Sequence, residues 1–384
     1  MSFVIYLDNS ATTRPYPQVI EAVKRAMDSY YGNPSSLHSL GIEAENVLKQ
    51  ARLVVAQALQ VKPSEVFFTS GGTESNNTAL KGVAFQFQQR GKHIITTQVE
   101  HPCVYDVCKQ LEEFGFSVTY LPVDQDGRVS PDELVRAIRP DTILVSVMHV
   151  NNELGTIQPI DQIGKLLKQH PKIVFHVDAV QSFGKLPIRM HEWGIDLLSL
   201  SAHKFYGPRG VGVLAKREGL QIQPLLIGGG QEAGLRSGTE NIPGIAGMAK
   251  AIRLAEEDRN RETGRLYGLL QTLREGIEQL PECVVNTPKT EVAPHIMNFS
   301  VPGAKAEVLL HALEERGFLV STKSACSSKT GEPSRILLAA GMGHERAVSA
   351  VRVSLGRNNQ LQDMEQFLLA LRDCINYIRP LMNK

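Results

Sequence analysis

The sequence contains no uninterrupted apolar run of about 18 residues, so no transmembrane helix is predicted. The first residues lack a basic stretch followed by an apolar one, and we therefore expect no signal peptide. Neither sign of charge dominates, because 41 Lys and Arg stand against 40 Asp and Glu. Such a balance gives no field that would attract nucleic acid or an anionic membrane, and neither is expected as a direct partner.

Cysteine is scarce, with five residues in the chain and no C-x-x-C pair. This pattern argues against a zinc site and a disulfide framework, and it is typical of a protein of the reducing cytoplasm. Cys108 and Cys374 fall in helical patterns and are expected to be structural. Cys103 lies close to His101, which leaves a role beside the site open, although packing is its expected role. Cys283 gives no signal.

Short apolar runs alternate with longer amphipathic stretches, and this alternation predicts an α/β fold. The expected architecture is an open, mostly parallel sheet flanked by helices. A long, densely charged helix is predicted from about residue 247 to residue 280. The predicted strands cover residues 65–69, 93–97, 117–121, 142–148, 173–177 and 195–199.

The length of 384 residues suggests two or three domains of roughly 100–200 residues each. We interpret the long helix as the bridge from a large domain to a smaller α+β C-terminal domain. The predicted large domain covers residues 15–258. The predicted small domain is formed by residues 1–14 and 259–384.

Polar and ionisable side chains follow five of the predicted strands. Ligands of open α/β sheets bind beyond the carboxyl ends of the strands, so we expect these side chains at one edge of the sheet. Their chemical types favour a polar ligand. In chain order they are Gly72 and Thr73, Glu100 and His101, Asn151, Asn152 and Glu153, Asp178 and Gln181, and Ser201, His203 and Lys204.

Taken singly, each of these groups has an ordinary structural explanation as well. Gly72 and Thr73 at a predicted helix start suit a phosphate, but they also suit a tight turn. A buried Asp178 needs a partner, which could be a protonated ring nitrogen or a structural ion pair. His101 could stack on an aromatic ring or be a loop histidine, and Lys204 could form a Schiff base or be a solvated loop residue. Together they are the parts that a pyridoxal-phosphate site needs.

Longer motifs carry a family resemblance that runs nearly end to end. They include YLDNSATT, FFTSGGTESNN, HVDAVQS, SAHKFYGPRG, GGGQEAGLRSGTEN, SACSS and VRVSLGR. In these motifs the chain resembles cysteine desulfurases of the NifS/IscS type, which are class V aminotransferases with fold type I. The resemblance implies a pyridoxal 5'-phosphate cofactor, L-cysteine as substrate and a homodimer.

The resemblance also assigns roles to individual residues. Lys204 is the lysine bound to the cofactor, His101 stacks on its ring, and Asp178 pairs with the ring nitrogen. Arg352 and Asn152 hold the substrate carboxylate, with Asn9 and Asn33 at the same mouth. The residues implied to bind the cofactor are Gly72, Thr73, His101, Asn152, Asp178, Gln181, Ser201, His203 and Lys204, together with Thr239 from the neighbouring subunit.

Cys326 lies in a small polar segment, STKSACSSKTG, without apolar periodicity. Its residues alone favour an inert surface thiol, although nearby lysines would favour the thiolate. The resemblance implies that Cys326 takes the sulfur as a persulfide, with alanine as the other product. The acceptor would serve iron–sulfur cluster assembly, tRNA thiolation or thiocofactor synthesis. No resident metal is predicted, and a cluster shared by Cys326 and a scaffold partner is left open.

Two positions depart from the family pattern. Ala233 stands where relatives often have arginine, and Lys323 stands where glycine is common. Neither change removes a predicted catalytic group. The alternatives are a selenocysteine lyase or an aminotransferase of the same fold, and a sulfur-relay scaffold with a vestigial site. The intact set of Lys204, Asp178, His101 and Arg352 argues against the scaffold.

Overall fold

The computed structural model describes residues 4–322 and 332–382. Within these ranges, no helix combines the length and the apolar character needed to cross a membrane. The strands are β1 Ile5–Tyr6, β2 Val66–Thr69, β3 His93–Thr97, β4 Ser117–Leu121, β5 Thr142–Met148, β6 Val174–Asp178, β7 Leu197–Ser201, β8 Gly212–Lys216, β9 Val284–Val285, β10 Ile296–Ser300, β11 Phe318–Leu319 and β12 Ala350–Ser354. The helices are α1 Pro17–Ser29, α2 Ser39–Leu59, α3 Gly72–Phe87, α4 Pro102–Glu113, α5 Pro131–Ala137, α6 Ile160–Leu167, α7 Ile242–Glu278, α8 Ala306–Glu314, α9 Arg335–Ala339, α10 His344–Val348 and α11 Leu361–Met382.

A large sheet has the strand order β2-β8-β7-β6-β5-β3-β4, and every strand except β8 runs in the same direction. This confirms the predicted mostly parallel sheet. Every residue of β5 is buried, as is typical of a strand that is covered on both faces. The sequence prediction missed β8, a five-residue strand that returns antiparallel between β2 and β7.

Two strands extend beyond their predicted ends because neighbouring strands supply hydrogen bonds there. The prediction ended the sixth strand at residue 199, whereas β7 continues to Ser201, which pairs with Gly212 of β8. Similarly, β6 continues to Asp178, which pairs with Met148 and Ser199. Asp178 and Ser201 are therefore held by the sheet itself rather than by a loop.

Alternating strand residues pack on opposite faces of the large sheet. Phe67 belongs to a cluster with α3 and α4, whereas Phe68 belongs to a cluster with α2 and the first half of α7. A separate cluster joins the second half of α7, from Leu266 onward, to β1, β10, β12, α8 and α11. The long helix therefore contributes to two hydrophobic cores. Where the domain boundary falls stays a prediction.

The second core lies beside a three-stranded antiparallel sheet with the order β12-β10-β9. In this sheet Arg352 pairs with Asn298. The N-terminal segment contacts this sheet, because Asp8 forms a bridge with Ser354, while β1 pairs with β11 in a separate two-stranded sheet. This arrangement brings Asp8 and Arg352, which are far apart in sequence, to the same place.

His176 in β6 offers a test of how burial controls acid stability. It is fully buried, and its Nδ1 and Nε2 lie 2.8 Å and 3.0 Å from the hydroxyls of Ser146 and Ser199. Burial lowers the pKa of His176 to about 3, whereas an unfolded histidine titrates near pH ~6.5. Because the folded-state pKa is depressed, the stability contributed by neutral His176 is complete above pH ~6.5 and is lost as the pH falls toward 3.

We expect His176→Gln to make the free energy of unfolding less sensitive to acid. Glutamine can still donate to one serine and accept from the other, so the fold should persist. Below pH ~6 the free energy should fall less steeply than in the wild type, by about 1.4 kcal/mol per pH unit. Urea unfolding at several pH values measures the slope. The exposed His344, as His344→Gln, is the control and should keep the wild-type slope. An unchanged slope in His176→Gln would contradict this account.

Candidate active site

The carboxyl ends of β2, β3, β5, β6 and β7 meet at one edge of the large sheet, where a cavity of about 180 Å³ opens. The structure brings ten of the predicted site residues to its wall. They are Gly72, Thr73, His101, Asn152, Asp178, Gln181, Ser201, His203, Lys204 and Arg352.

Four other predicted site residues do not line this cavity. Asn9 is buried and directly precedes Ser10, which lines the cavity, but its Nδ2 donates to the carbonyl of Ser354 at 3.0 Å. Asn33 is exposed, and so is Thr239, which precedes α7. Cys326 lies outside the described residues. The roles assigned to these four residues stay predictions.

The first turn of α3 forms a site for an anion. Its N-cap is Gly71, which has φ 153° and no side chain to bond the free N–H groups of the turn. Glycine is needed for this backbone conformation. At the next position, a Cβ on Gly72 would lie 2.7 Å from Cγ2 of Val180. The helix start therefore faces the cavity with main-chain donors and a positive dipole, which suits a phosphate.

Asp178 places a buried carboxylate on the wall of the cavity. Its Oδ1 accepts from the backbone N–H of Val180 at 3.0 Å, and its Oδ2 accepts from Nδ2 of Asn76 at 2.7 Å. Burial raises the pKa of Asp178, which means that a cationic partner would stabilise the ionised form. Asn76 was missed as a site residue, because an asparagine inside a helical pattern gives no signal of where its amide points.

His101 is the N-cap of α4, and its Nδ1 accepts the backbone N–H of Cys103 at 3.2 Å. Burial, followed by repulsion from Lys204, lowers the pKa of His101 to about 4. The ring is therefore neutral near pH ~7, and with Nδ1 acting as an acceptor its proton lies on Nε2.

Lys204 lies in a short 3₁₀ turn directly after β7, and its Nζ donates to the carbonyls of Ser10 at 2.6 Å and Ala11 at 2.8 Å. Gln181 also donates to the Ser10 carbonyl, at 3.0 Å. Behind this group, buried Lys185 donates to the carbonyl of Lys204 at 2.9 Å. Burial lowers the pKa of Lys185 to about 7. The sequence analysis missed Lys185, because a lysine in a turn resembles any surface lysine.

Arg352 reaches the cavity from β12. It is almost fully buried, and its guanidinium donates to the carbonyl of Asn152 at 2.8 Å and to Oδ1 of Asp8 at 2.9 Å. In the part of the chain that the structure describes, Nε of Arg352 and Oδ1 of Asn152 are buried without hydrogen-bond partners. An amino-acid substrate could supply partners to both through its carboxylate and its amine.

These groups fit pyridoxal phosphate. The uncapped start of α3 suits its phosphate, and the buried carboxylate of Asp178 suits a protonated ring nitrogen. The amine of Lys204 lies on the same cavity wall and suits its aldehyde. The fit therefore rests on three places at the edge of the large sheet: the start of α3, the end of β6 and the turn after β7.

Comparisons with known proteins agree with this geometry. Residues 5–367 match the aminotransferase class-V family. A relative named cysteine desulfurase IscS, from Dictyoglomus turgidum, is 46% identical over 98% of this chain and 96% of its own length. A solved NifS-like protein has a TM-score of 0.93 and 40% identity, covering 98% of this chain and 100% of that one. SspA, solved in complex with cysteine, has a TM-score of 0.80 and 38% identity, covering 91% of this chain and 98% of that one.

Proposed function

The chain belongs to the aminotransferase class-V family and is a pyridoxal-phosphate-dependent cysteine desulfurase, and from this premise we propose how its residues share the reaction. One observation carries the proposal. Ten residues that the sequence predicted line a single cavity. One of them, Arg352, comes from the three-stranded sheet, whereas the others lie in or next to the large sheet. A site that had lost its activity would not be expected to retain all ten of these residues.

Pyridoxal phosphate, when bound, supplies a sink for the electrons released from the substrate's Cα–H bond. The residues that would hold its phosphate are Gly72, Thr73, Ser201 and His203, and Asp178 and Gln181 would hold its ring. Lys204 would bind it covalently. His101 would lie against the ring, where a neutral imidazole can pack without bringing a second charge and can exchange a proton with the thiol of the substrate.

The chain's own residues then move the substrate's protons and sulfur. Arg352 and Asn152 bind the carboxylate of L-cysteine, and the amine of Lys204, once the substrate has released it from the cofactor, takes the α-proton. The thiolate of Cys326 attacks the substrate sulfur, so that an S–S bond forms while the Cβ–S bond breaks. The electron pair left on Cβ takes up one proton, which balances the proton that the Cys326 thiol lost on ionising, and Lys204 returns its proton to Cα, so that alanine leaves. Cys326 keeps the sulfur as a persulfide.

We expect Arg352→Lys to weaken binding of L-cysteine while leaving the cofactor in place. Lysine keeps the charge but cannot donate to a carboxylate with two parallel N–H groups. The KM for L-cysteine should rise about 10- to 100-fold, with a smaller change in kcat. Alanine formation measures both constants. Arg357→Lys is a matched control, because Arg357 contacts Tyr16 and Asp258 outside the cavity. A KM within about twofold of the wild type in both variants would remove Arg352 from the substrate site.

The functional unit that we propose is a cytoplasmic homodimer in which Thr239 of one subunit reaches the phosphate held by the other. Thr239 is exposed on its own chain. Ile227, in the same segment between β8 and α7, is exposed as well, with 86% of its surface free. Sedimentation equilibrium should give about twice the chain mass of 42.3 kDa. A concentration-independent monomer that is fully active would contradict the role of Thr239.

The persulfide on Cys326 is proposed to pass to a protein acceptor, an iron–sulfur scaffold or a tRNA-thiolation enzyme. No direct contact with nucleic acid or membrane is part of this proposal, because the net charge is only +1. Enzyme loaded from ³⁵S-cysteine should transfer label to candidate acceptors in defined mixtures. The Cys326→Ser variant should transfer none, and label transfer by that variant would exclude Cys326 as the donor.

A further inference from the structure

Cys103 in the first turn of α4 lies on the wall of the cavity as well. Its Sγ is 2.9 Å from Nδ1 of His101 and 3.0 Å from Nδ2 of Asn76. From the sequence, packing was the expected role, with a role beside the site left open. The structure instead places this thiol between two polar groups of the site.

The directions of these hydrogen bonds follow from the carboxylate of Asp178. Because a carboxylate accepts but does not donate, Asn76 must turn its Nδ2 toward Asp178. Nδ2 has two hydrogens, and the second one points to Sγ of Cys103. Since the sulfur accepts from Asn76, its own hydrogen can be donated to Nδ1 of His101. A continuous path, which we call the Asn76–Cys103 bridge, therefore connects Asp178 to His101.

The thiol form of Cys103 is required for this arrangement, and the surroundings favour it. Burial, and then the negative charge of Asp178, raises the pKa of the Cys103 thiol well above its usual range. Cys103 therefore keeps its hydrogen near pH ~7 and acts as a donor rather than as a nucleophile. Its chemistry is the opposite of that proposed for Cys326.

We propose that Cys103 is a positioning residue whose thiol, held by Asn76, keeps Nδ1 of His101 unprotonated, so that the ring exchanges protons through Nε2. The inference rests on the proposed role of His101. A donor to Nδ1 stabilises the neutral ring, because Nδ1 cannot take up a proton without losing that hydrogen bond. The backbone N–H and the thiol of Cys103 share the single lone pair of Nδ1, and the thiol is the closer donor.

Charged groups from several elements also act on His101, and they must stay constant in any test. Lys204 after β7, Arg335 in α9 and Arg352 in β12 all repel a protonated ring. Asp178 and Glu100 lie on the other strand ends, and burial raises the pKa of Glu100 to about 8. None of these groups is altered by a substitution at position 103, so a change in the titration of His101 reports on the thiol.

The experiment compares Cys103→Ala, Cys103→Ser and Cys108→Ala in the holoenzyme. Serine keeps a hydroxyl that can accept from Asn76 and donate to His101, whereas alanine breaks the bridge. Cys108 is the other cysteine of α4; it is buried and does not line the cavity, so its variant controls for the loss of a thiol from this helix. Histidine-labelled protein allows the imidazole of His101, whose pKa burial lowers to about 4, to be titrated by NMR between about pH 7 and about pH 3, with His101→Gln assigning the signal.

In Cys103→Ala the pKa of His101 should rise by about one pH unit, the value of one lost hydrogen bond. The acidic limb of the kcat/KM profile should move in the same direction. Cys103→Ser and Cys108→Ala should both resemble the wild type. The proposal is overturned if Cys103→Ala titrates like Cys108→Ala, or if Cys103→Ser behaves like Cys103→Ala. Full activity in His101→Gln would instead remove the proposed role of His101, while the NMR titration would still report on the bridge.

Discussion

Lys204→Ala is expected to lose the visible absorbance band of the lysine-bound cofactor and at least about four orders of magnitude in kcat for alanine formation. Two functions are lost together, because the same amine binds the cofactor and moves the substrate's α-proton. The turn that carries Lys204 is held by hydrogen bonds of its backbone, including the one from Lys185, so alanine should not unfold it.

Absorbance spectra of the purified variant and a quantitative alanine assay measure these two losses. Lys216→Ala is a suitable control, because Lys216 lies at the end of β8 and donates to the carbonyl of Leu220, outside the cavity. It should keep both the band and the activity. If the band survives in Lys204→Ala, the cofactor is bound through a different amine and the assignment of Lys204 is wrong.

Cys326→Ala should keep the visible band and yet form no persulfide, with alanine turnover falling by at least about three orders of magnitude. The substitution removes the nucleophilic thiol and leaves the residues that would bind the cofactor unchanged. Mass spectrometry of the intact chain after brief exposure to L-cysteine should find an added sulfur atom on the wild type only. Cys283→Ala, which changes a partly buried cysteine packed against the second core, is the control and should gain the sulfur.

The two variants together separate the competing functions. An aminotransferase would need Lys204 but not Cys326, so wild-type turnover in Cys326→Ala would favour that alternative. Persulfide formed at the wild-type rate by Cys326→Ala would also exclude the proposed sulfur transfer. A selenocysteine lyase is distinguished by comparing turnover of cysteine and selenocysteine in the wild type.

The departure from the family pattern at Ala233 now has a structural context. Ala233 has φ 54° and is exposed, whereas the preceding Glu232 is buried. Glu232 accepts from Arg52 at 2.6 Å and 2.9 Å and from the backbone N–H of Phe68 at 2.8 Å. The loop is therefore fixed by Glu232, and Ala233 does not line the cavity. Lys323, the second departure, lies outside the described residues.

Much of the fold and of the cofactor site was predictable because the signals are local. A run of buried apolar residues such as β5 predicts a strand, and residues after parallel strands meet at one edge by geometry alone. His101, Asp178 and Lys204 follow three such strands, and all three line the cavity. The missed strand β8 shows the limit, because its placement depends on the neighbours β2 and β7 rather than on its own pattern.

The sequence by itself determined which strand ends carry polar groups, and through its motifs it indicated the family. Only the tertiary structure decided which residues from distant parts of the chain contact those polar groups. Arg352 reaches Asp8 and Asn152 because β12 lies beside both the N-terminal segment and the segment after β5, and Asn9 donates to Ser354 of the same strand. The bridge from Asp178 to His101 likewise depends on side chains from three elements. Which side chain donates a hydrogen bond and which accepts it depends on which side chains lie close together in three dimensions. The order of residues along the chain does not specify this.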